Sequence, residues 1–364
     1  MSANAPRILI AAGGTGGHLI PALHVARAMR EINPHCKILF LGSGRPLERK
    51  LIPEAGFELE VVELRAVKGM GGVGAMKFLL SLPASISKIK AILKDFKPSV
   101  ILGMGGYVSF LPVTLARLRG IPAWIHEAEW HPGLANGVLA TYASRISVVF
   151  PGAGLSKLKK ALVTGHPVRS DLGDVAAQPV PGVISKILLI GGSQGAQALD
   201  SAMLKLAPFL KTRGIKLRHQ CRSESRAALE EGYARAEFDA EISEFITDMK
   251  EAYAWCDLVI SRAGASAIME IEAINKPAIL IPYPYAQAGH QLVNARYLQQ
   301  QGKALIVEEG HGFEEELKQA ISKLLVPSQY ADIKVKESAK RTVRAAEVIA
   351  KGCFELASAA ASRI

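Results

Sequence analysis

The stretch RILIAAGGTGGH, from Arg7 to His18, decides the fold. It has the pattern of an apolar strand that runs into four glycines, with a histidine where a helix begins. Glycine permits positive φ and brings unhindered backbone N–H groups close to a ligand, and the N-terminus of the following helix favours negative charge. The stretch therefore predicts a strand–loop–helix unit that binds an anionic or strongly polar ligand.

This glycine loop matches neither common nucleotide-binding motif. The dinucleotide fingerprint G-x-G-x-x-G fails because Leu19 stands at the position of its third glycine, after Gly14 and Gly16. It also fails because the second strand, KILFLG, ends in Gly42 instead of an acidic residue. The Gly-Lys-Ser/Thr of a Walker loop occurs nowhere in the sequence. A single loop of this kind is also typical of a plain strand-to-helix turn, but here the pattern recurs. Similar stretches are SVILGMGGY (Ser99–Tyr107), KILLIGGSQGA (Lys186–Ala196) and, more loosely, LVISRAGAS (Leu258–Ser266).

Length and composition indicate a globular protein of two domains. The chain has 364 residues, 49% of them hydrophobic and 21% charged, which is too long for one ordinary α/β core. Its four cysteines form no CxxC pair, so neither a zinc site nor a disulfide framework is indicated, and a reducing cytosol fits. The N-terminus lacks the layout of a signal peptide, and no apolar run approaches the roughly 18 residues of a membrane span. We therefore expect a soluble or peripheral protein.

The charge points to an acidic partner. The formal net charge is +11 and the pI is near 9.4, which favours nucleic acid, phosphorylated small molecules or anionic lipid. No nucleic-acid-binding signature occurs, and only 6% of residues are aromatic, so base-stacking platforms are not indicated. Phosphate or lipid is the better expectation.

The two similar glycine stretches, about 180 residues apart, predict two copies of one doubly wound, Rossmann-like α/β domain. A Pro- and Gly-rich stretch without helical period, Gly165–Ser185, predicts a linker. We place the domains at 1–165 and 166–340, with a C-terminal helix over about 340–364 packing back on the first. Since ligands bind beyond the carboxyl ends of parallel strands, we expect a site in a cleft between two facing domains.

A long helix is predicted over Ala75–Phe96, and it has two interpretations. One is a core-facing amphipathic helix with solvated lysines. The other is a lipid-facing surface, because its early part is apolar on more than one face. The membrane-docking surface would then be Gly69–Phe96, with apolar Met70, Met76, Phe78, Leu79 and Leu82 and basic Lys68, Lys77 and Lys88, joined by Arg117 and Arg119.

Seven sequence blocks, in order and spacing, resemble one bacterial family. They are GGTGGH (13–18), GMGGYVS (103–109), HEAEWHPGLAN (126–136), GHPVR (165–169), GGSQGA (191–196), EFITDM (244–249) and SRAGASAIMEI (261–271). The family transfers N-acetylglucosamine from UDP-N-acetylglucosamine to undecaprenyl-pyrophosphoryl-N-acetylmuramoyl-pentapeptide, called lipid I, giving lipid II. The resemblance extends from Arg7 to about Leu325.

The resemblance implies an inverting, metal-independent glycosyltransferase of the B-type fold, bound peripherally to the cytoplasmic face of the inner membrane. It implies peptidoglycan synthesis, with other cell-wall and division proteins as partners, no cofactor and no nucleic acid. It places the acceptor on the first domain and the donor on the second. At the acceptor end it implies Thr15, Gly16, Gly17, Gly105, Gly106, Tyr107 and Asn136 as substrate-binding residues.

For the donor, the resemblance implies that Glu270 binds the ribose, Ile246 the uracil and Gln291 the sugar, while Arg169 lies near the phosphates. No Asp-x-Asp occurs, so backbone N–H groups and helix dipoles would hold the pyrophosphate in place of a metal–carboxylate clamp. The residues expected there are Ser193, Ala265 and Ser266, and the resemblance adds Gln194, Ala267, Ile268 and Met269 as substrate-binding residues.

The sequence departs from the family pattern in two blocks. After His126 and Glu127 the family has Gln-Asn, and its asparagine touches the donor sugar, but this chain has Ala128 and Glu129. Glu129 can accept a hydrogen bond from a sugar hydroxyl but cannot donate one as an amide does. The family block GNPVR is here GHPVR, with His166 in place of asparagine.

Three residues are candidates for the catalytic base. His18 ends the first glycine loop and has an ordinary pKa of about 6.5, although it could instead hold a neighbouring loop or the acceptor diphosphate. Glu127 and Glu129 are the competing bases. Two other functions share the sequence features: a UDP-N-acetylglucosamine 2-epimerase, which needs several cleft carboxylates, and a non-catalytic nucleotide-sugar or lipid binding protein.

Overall fold

A computed structural model describes residues 5–14, 16–63, 72–177, 183–191, 196–286, 289–326 and 342–362, with the backbone alone for 72–81. The chain divides into two compact units. The first comprises Met1–Arg169 and Arg344–Ile364, and the second comprises Ser170–Val343.

The first unit is built on a parallel sheet of seven strands in the order β3-β2-β1-β4-β5-β6-β7. The strands are β1 (Arg7–Ala11), β2 (Lys37–Gly42), β3 (Glu58–Val61), β4 (Val100–Gly103), β5 (Ala123–Glu127), β6 (Arg145–Val148) and β7 (Ala161–Val163). The helices between them are α1 (Gly16–Ile32), α2 (Pro46–Glu54), α3 (Gly72–Phe96), α4 (Gly106–Leu118) and α5 (Leu134–Tyr142). The central strand β1 is buried on both faces, as a sheet covered by helices on both sides requires.

The second unit repeats the scheme with six parallel strands in the order β10-β9-β8-β11-β12-β13. Its strands are β8 (Lys186–Ile190), β9 (Lys216–Gln220), β10 (Ala240–Ser243), β11 (Leu258–Arg262), β12 (Ala278–Ile281) and β13 (Ala304–Ile306). Its helices are α6 (Leu172–Ala176), α7 (Gln197–Lys205), α8 (Ala207–Thr212), α9 (Ser223–Arg235), α10 (Met249–Trp255), α11 (Ala265–Ile274), α12 (His290–Gln300) and α13 (Phe313–Leu324).

Both sheets have the strand order of a doubly wound α/β domain, which confirms the predicted fold class. The order reverses between β1 and β4 in the first sheet and between β8 and β11 in the second. The loops beyond the carboxyl ends of these strands are therefore the positions where a ligand binds in each unit.

A last helix, α14 (Ala345–Ala361), belongs to the first unit. It packs on α1 and β4, and its buried Ile349 and Cys353 join the core that contains Trp124. Gly352 lies so close to the Trp124 ring that a Cβ there would be 2.1 Å from it. Any larger residue at this position would displace α14 or the ring.

Two elements differ from the sequence prediction. The stretch Gly165–Ser185 is not free of helix, because Leu172 and Val175 lie three residues apart on one face and are buried as part of α6. Helix α2 was not predicted. It begins with Pro46 at its first position, a residue whose fixed φ suits a helix start.

None of the helices in the described part of the chain has the length and apolar character that crossing a membrane requires.

Candidate active site

The acceptor-end residues converge beyond strands β1, β4 and β5 of the first unit. After β4 the backbone turns through Gly105 and Gly106 at φ +94° and +69°, a region that favours glycine. The His18 ring fills the space beside them, because a Cβ on either glycine would lie 3.2 to 3.3 Å from ring atoms of His18. The second glycine loop is therefore shaped around the histidine of the first.

His18 is held in one orientation by the backbone. It is the third residue of α1, and its Nδ1 lies 3.0 Å from the carbonyl oxygen of Met104. Because a carbonyl only accepts, Nδ1 carries the hydrogen and Nε2 of the neutral ring has the free lone pair. Burial lowers the pKa of His18, and the bond to Met104 opposes this in part. The side chain is therefore a neutral imidazole with Nε2 able to accept a proton.

Glu127 is buried at the end of β5, and donors surround its carboxylate. Oε1 accepts from the Glu129 N–H at 3.0 Å, and Oε2 accepts from the Gly133 N–H and from Asn136 Nδ2, each at 3.1 Å. Burial raises the pKa of Glu127 to about 7, against these three hydrogen bonds. The carboxylate holds the loop between β5 and α5, and the half-buried Glu129 is part of that loop.

Asn136 joins this carboxylate to the end of β5. Its Nδ2 also donates to the His126 carbonyl at 2.8 Å. The same nitrogen lies 3.5 Å from the place of a Cβ on Gly105. Asn136, His18 and the second glycine loop are therefore neighbours, as the sequence blocks suggested.

His126 and His166 form a buried pair in the first unit. Their Nε2 and Nδ1 atoms are 3.1 Å apart, and His126 Nδ1 lies 2.9 Å from Ser147 Oγ, which also accepts from Trp124 Nε1 at 2.9 Å. Burial, with the neighbouring His18, lowers the pKa of His126 to about 3. Burial and the nearby histidines hold the pKa of His166 well below its ordinary value. His166, which replaces the family asparagine, is thus a neutral partner of His126 inside the unit.

In the second unit, Glu270 is fixed by a buried phenol. Glu270 lies on α11, and its Oε2 accepts from the Tyr253 hydroxyl at 2.8 Å. Tyr253 lies on α10 and is fully buried. One oxygen of the half-buried carboxylate is therefore constrained by the buried phenol.

The N-terminus of α11 offers backbone donors to an anion. Gly264 caps the helix in an extended conformation without a side-chain cap, and Ile268 N–H makes the bond back to the Gly264 carbonyl at 3.0 Å. The N–H groups of Ala265, Ser266 and Ala267 precede that bond and belong to the first turn of the helix, where backbone donors point towards an anion. Ile268 and Met269 are fully buried, so their side chains anchor α11 to the core.

Helix α12 is tied to the strand ends beside α11. Gln291 Oε1 accepts from the Tyr283 N–H at 2.9 Å, beyond β12. The buried Asn294 donates to the Ala263 carbonyl at 3.2 Å, beyond β11. Gln291 therefore lies at the same edge of the sheet as the N-terminus of α11.

The other predicted site residues lie at helix starts, in a loop and at the boundary between the two units. Gly16 and Gly17 begin α1, Tyr107 is the second residue of α4, Ile246 is half-buried in the loop after β10, and Arg169 is the last residue of the first unit before the second begins. Thr15, Ser193 and Gln194 lie outside the described residues, as do residues 68–71 of the predicted docking surface and its side chains at 72–81.

Comparisons with known proteins show which family this chain belongs to. Residues 8–148 match the glycosyltransferase family 28 N-terminal domain and residues 186–350 match its C-terminal domain. A UDP-N-acetylglucosamine–N-acetylmuramyl-(pentapeptide) pyrophosphoryl-undecaprenol N-acetylglucosamine transferase of Syntrophotalea carbinolica is 38% identical over 323 residues, 88% of this chain and 90% of that protein. The chain belongs to this transferase family. It is therefore a glycosyltransferase, and the family assignment made from the sequence blocks is confirmed.

Solved structures show the same fold. The crystal structure of MurG from Acinetobacter baumannii has a TM-score of 0.77 and 26% identity, covering 96% of this chain and 99% of that one. A UDP-N-acetylglucosamine 2-epimerase from Neisseria meningitidis has a TM-score of 0.67 at 16% identity, covering 96% and 100%. The second likeness concerns the fold alone, so the epimerase alternative is not favoured.

Four polar residues that shape the site were not found by sequence reasoning. Tyr253, Asn294 and Ser147 make the contacts given above, and Glu48 binds the first glycine loop. Only Glu48 had a local signal: a glutamate at the third position of a helix that starts with proline is typical of a helix N-terminus.

Proposed function

We propose that this glycosyltransferase moves N-acetylglucosamine from UDP-N-acetylglucosamine to the 4-hydroxyl of the N-acetylmuramoyl group of lipid I, giving lipid II. One observation carries the proposal: relatives that bear this activity in their names match the chain over most of its length. The described residues of the sequence blocks lie at the strand ends of each unit, which supports it.

The donor is assigned to the second unit. The backbone N–H groups in the first turn of α11 suit the pyrophosphate, because a helix N-terminus favours negative charge. Glu270, oriented by Tyr253, accepts hydrogen bonds from the ribose hydroxyls. Gln291 beyond β12 contacts the sugar, and Ile246 beyond β10 contacts the uracil.

The acceptor is assigned to the first unit, with His18 as base. The muramyl 4-hydroxyl oxygen forms a bond to the anomeric carbon of the donor while the bond from that carbon to the UDP oxygen breaks. The hydroxyl proton passes to His18 Nε2, the nitrogen that the Met104 bond leaves unprotonated. The negative charge that leaves with UDP is stabilised by the backbone donors of the second unit. A single displacement of this kind inverts the anomeric configuration.

Glu127 and Glu129 are weaker candidates for the base. Both oxygens of Glu127 are engaged by donors from its own loop and α5, so it orients that loop. Glu129, in the loop itself, remains the second candidate, because a carboxylate at the family's asparagine position could take over a proton transfer.

Docking on the cytoplasmic face of the membrane is proposed for the first unit, since an undecaprenyl chain leaves a bilayer only at great cost. Of the surface expected from sequence, Lys88 and Arg119 are exposed, and Leu118 beside Arg119 is 78% exposed. Arg117 instead donates to the carbonyls of Tyr142 and Ile121 and so binds α4 to its neighbours. The second half of α3 is a core helix, because Ile89, Ile92 and Leu93 are buried.

The test is a product assay on the whole chain. The protein is incubated with UDP-N-acetylglucosamine alone, and then with a lipid I analogue, with and without EDTA. We expect UDP and a β-linked disaccharide only when the analogue is present, at a rate that EDTA leaves unchanged. Epimerised sugar without acceptor, or donor binding without any product, would refute the proposal.

A further inference from the structure

A buried carboxylate, Glu48, lies between the turns that follow β1 and β2. The side chain is 1% exposed. Oε1 accepts from the Gly14 N–H at 2.8 Å and from the Ser43 hydroxyl at 2.9 Å. Oε2 accepts from the Gly44 N–H at 2.6 Å and from the Arg45 N–H at 3.3 Å. Four donors from the chain itself thus satisfy a charge that would be costly to bury alone.

Two glycines make room for this carboxylate. A Cβ on Gly13 would lie 2.4 Å from Glu48 Oε1, and a Cβ on Gly42 would lie 2.5 Å from Oε2. Both distances are shorter than any contact between such atoms. This explains why β2 ends in glycine: the acidic group at this strand end comes from Glu48 on α2. In a dinucleotide-binding domain the corresponding acid accepts from a ribose, whereas here the carboxylate accepts from its own loops.

The Gly14 peptide is held from both sides. Its N–H donates to Glu48, and its carbonyl accepts from Arg45 Nη1 at 2.7 Å. The Arg45 guanidinium lies 6.0 Å from the centre of the Tyr107 ring, and a Cβ on Gly14 would lie 3.5 Å from that ring. With φ at +91°, Gly14 has a conformation that other residues rarely adopt. Glu48 and Arg45 fix this turn, which leads into α1 and therefore to His18.

We infer that Glu48 is a positioning residue for the acceptor end of the site. By holding Gly14 it sets the direction in which α1 begins, and with it the N–H groups of the first helical turn and the His18 ring. This inference rests on the proposed function, because it names the acceptor as the ligand whose binding depends on the loop. The residues assigned to the donor belong to the second unit.

The test compares Glu48→Gln with Glu48→Asp. Glutamine has the same shape, but its NH₂ must face the N–H of Gly14 or the N–H groups of Gly44 and Arg45, so at least one hydrogen bond is lost and every remaining bond loses its charged acceptor. Aspartate keeps the charge on a shorter stem. We expect kcat/KM for a lipid I analogue to fall about 10- to 100-fold in the glutamine variant, the range for lost bonds to a charged group. The aspartate variant should be intermediate, and the Kd for UDP should stay within about twofold in both.

Glu272→Gln is the matched control. Glu272 is also fully buried, and it accepts from Tyr297, Gln301 and Thr342 in the second unit. Its loss should lower the free energy of unfolding without raising the acceptor KM. A Glu48→Gln variant whose activity falls only in proportion to its folded fraction, at unchanged acceptor KM, would overturn the inference.

Hydrogen exchange separates this inference from the proposed function. In Glu48→Gln the amides of residues 8–19 should exchange at least about tenfold faster than in the wild type. Unchanged exchange in this segment would overturn the inference whatever the activity. Absence of transfer by the wild-type protein would refute the proposed function, while the exchange result would still decide whether Glu48 holds the loop.

Discussion

The Tyr253 hydroxyl donates to Glu270 Oε2 at 2.8 Å, and this bond joins a fully buried phenol on α10 to the half-buried carboxylate on α11. One carboxylate oxygen is thereby restrained before any ligand arrives. A group held in this way loses less conformational freedom on binding than a free side chain would.

Removal of Glu270 tests the donor site. Glu270→Ala should weaken UDP-N-acetylglucosamine binding by about 1.5 to 3 kcal/mol, the usual value of hydrogen bonds to a charged group. Calorimetry with UDP measures this directly. An unchanged Kd would show that the nucleotide binds elsewhere.

Removal of the Tyr253 hydroxyl tests the restraint itself. Tyr253→Phe should raise the Kd for UDP about three- to tenfold, since one neutral hydrogen bond is worth about 1 kcal/mol. Tyr233→Phe is the control, because Tyr233 is equally buried in the same unit and bonds to His219. If both variants weaken UDP equally, the effect comes from general destabilisation and not from Glu270.

The buried histidine pair predicts an acid-sensitive first unit. A histidine in the unfolded chain has a pKa of about 6.5, whereas burial lowers the pKa of His126 to about 3 and also that of His166. Below pH 6.5 the unfolded chain therefore binds protons that the folded chain does not, and the free energy of unfolding falls as the pH falls. Each histidine contributes up to about 1.4 kcal/mol per pH unit in that range.

Glu127 has the opposite effect on the pH dependence of the free energy of unfolding. The test therefore compares the wild type with a variant that lacks one of the two histidines. Its pKa is raised from 4.5 to about 7, so its contribution to stability falls as the pH rises through that window. His166→Asn restores the family residue and retains Glu127. Between pH 7 and 5, urea unfolding should show the wild type losing about 2 kcal/mol more than the variant. Equal losses would contradict neutral burial of His166.

Most of the fold, and the strand ends at which the candidate site residues lie, could be predicted from sequence because both depend on local pattern. Apolar runs that end in glycines predicted the strands and their loops, and the sequence blocks pointed to His18 and Glu270 as candidate site residues. The partners of these residues could not be predicted. Gly14 and Glu48 are 34 residues apart, and Tyr253 and Glu270 are 17 apart. Which distant side chain reaches a loop depends on how the helices pack on the sheet. That packing produces no regular pattern of residues along the sequence.

Because this chain has Glu129 where the family has asparagine, we predict that this position tolerates substitution. Glu129→Asn restores the family residue and keeps the backbone N–H that Glu127 accepts. We expect the variant to retain activity within about threefold, because the proposed mechanism transfers the acceptor proton to His18. Loss of activity in the steady-state assay would mean that the chain has moved a catalytic duty to Glu129.

Membrane docking predicts reversible, charge-dependent binding. Sedimentation with liposomes should show affinity that rises with anionic lipid and falls with salt, since each lysine near such a surface contributes about 1 kcal/mol. A Phe78→Ser, Leu79→Ser double variant should bind less while its Kd for UDP stays the same. Val183→Ser, Val326→Ser removes exposed apolar residues of the second unit and should bind as the wild type does. Equal binding by the two double variants would mean that Ala75–Phe96 is a core helix and not a membrane-docking surface.

Single-turnover transfer with the wild type and His18→Ala decides most directly whether His18 Nε2 takes the proton of the acceptor. The wild type should convert labelled UDP-N-acetylglucosamine and a lipid I analogue into UDP and the β-linked disaccharide. His18→Ala should form the same product about 10² to 10⁴ times more slowly with an unchanged Kd for UDP, because a general base acts in the transition state. Transfer by His18→Ala at the wild-type rate, with only the acceptor KM raised, would contradict the assignment and leave His18 as a binding residue.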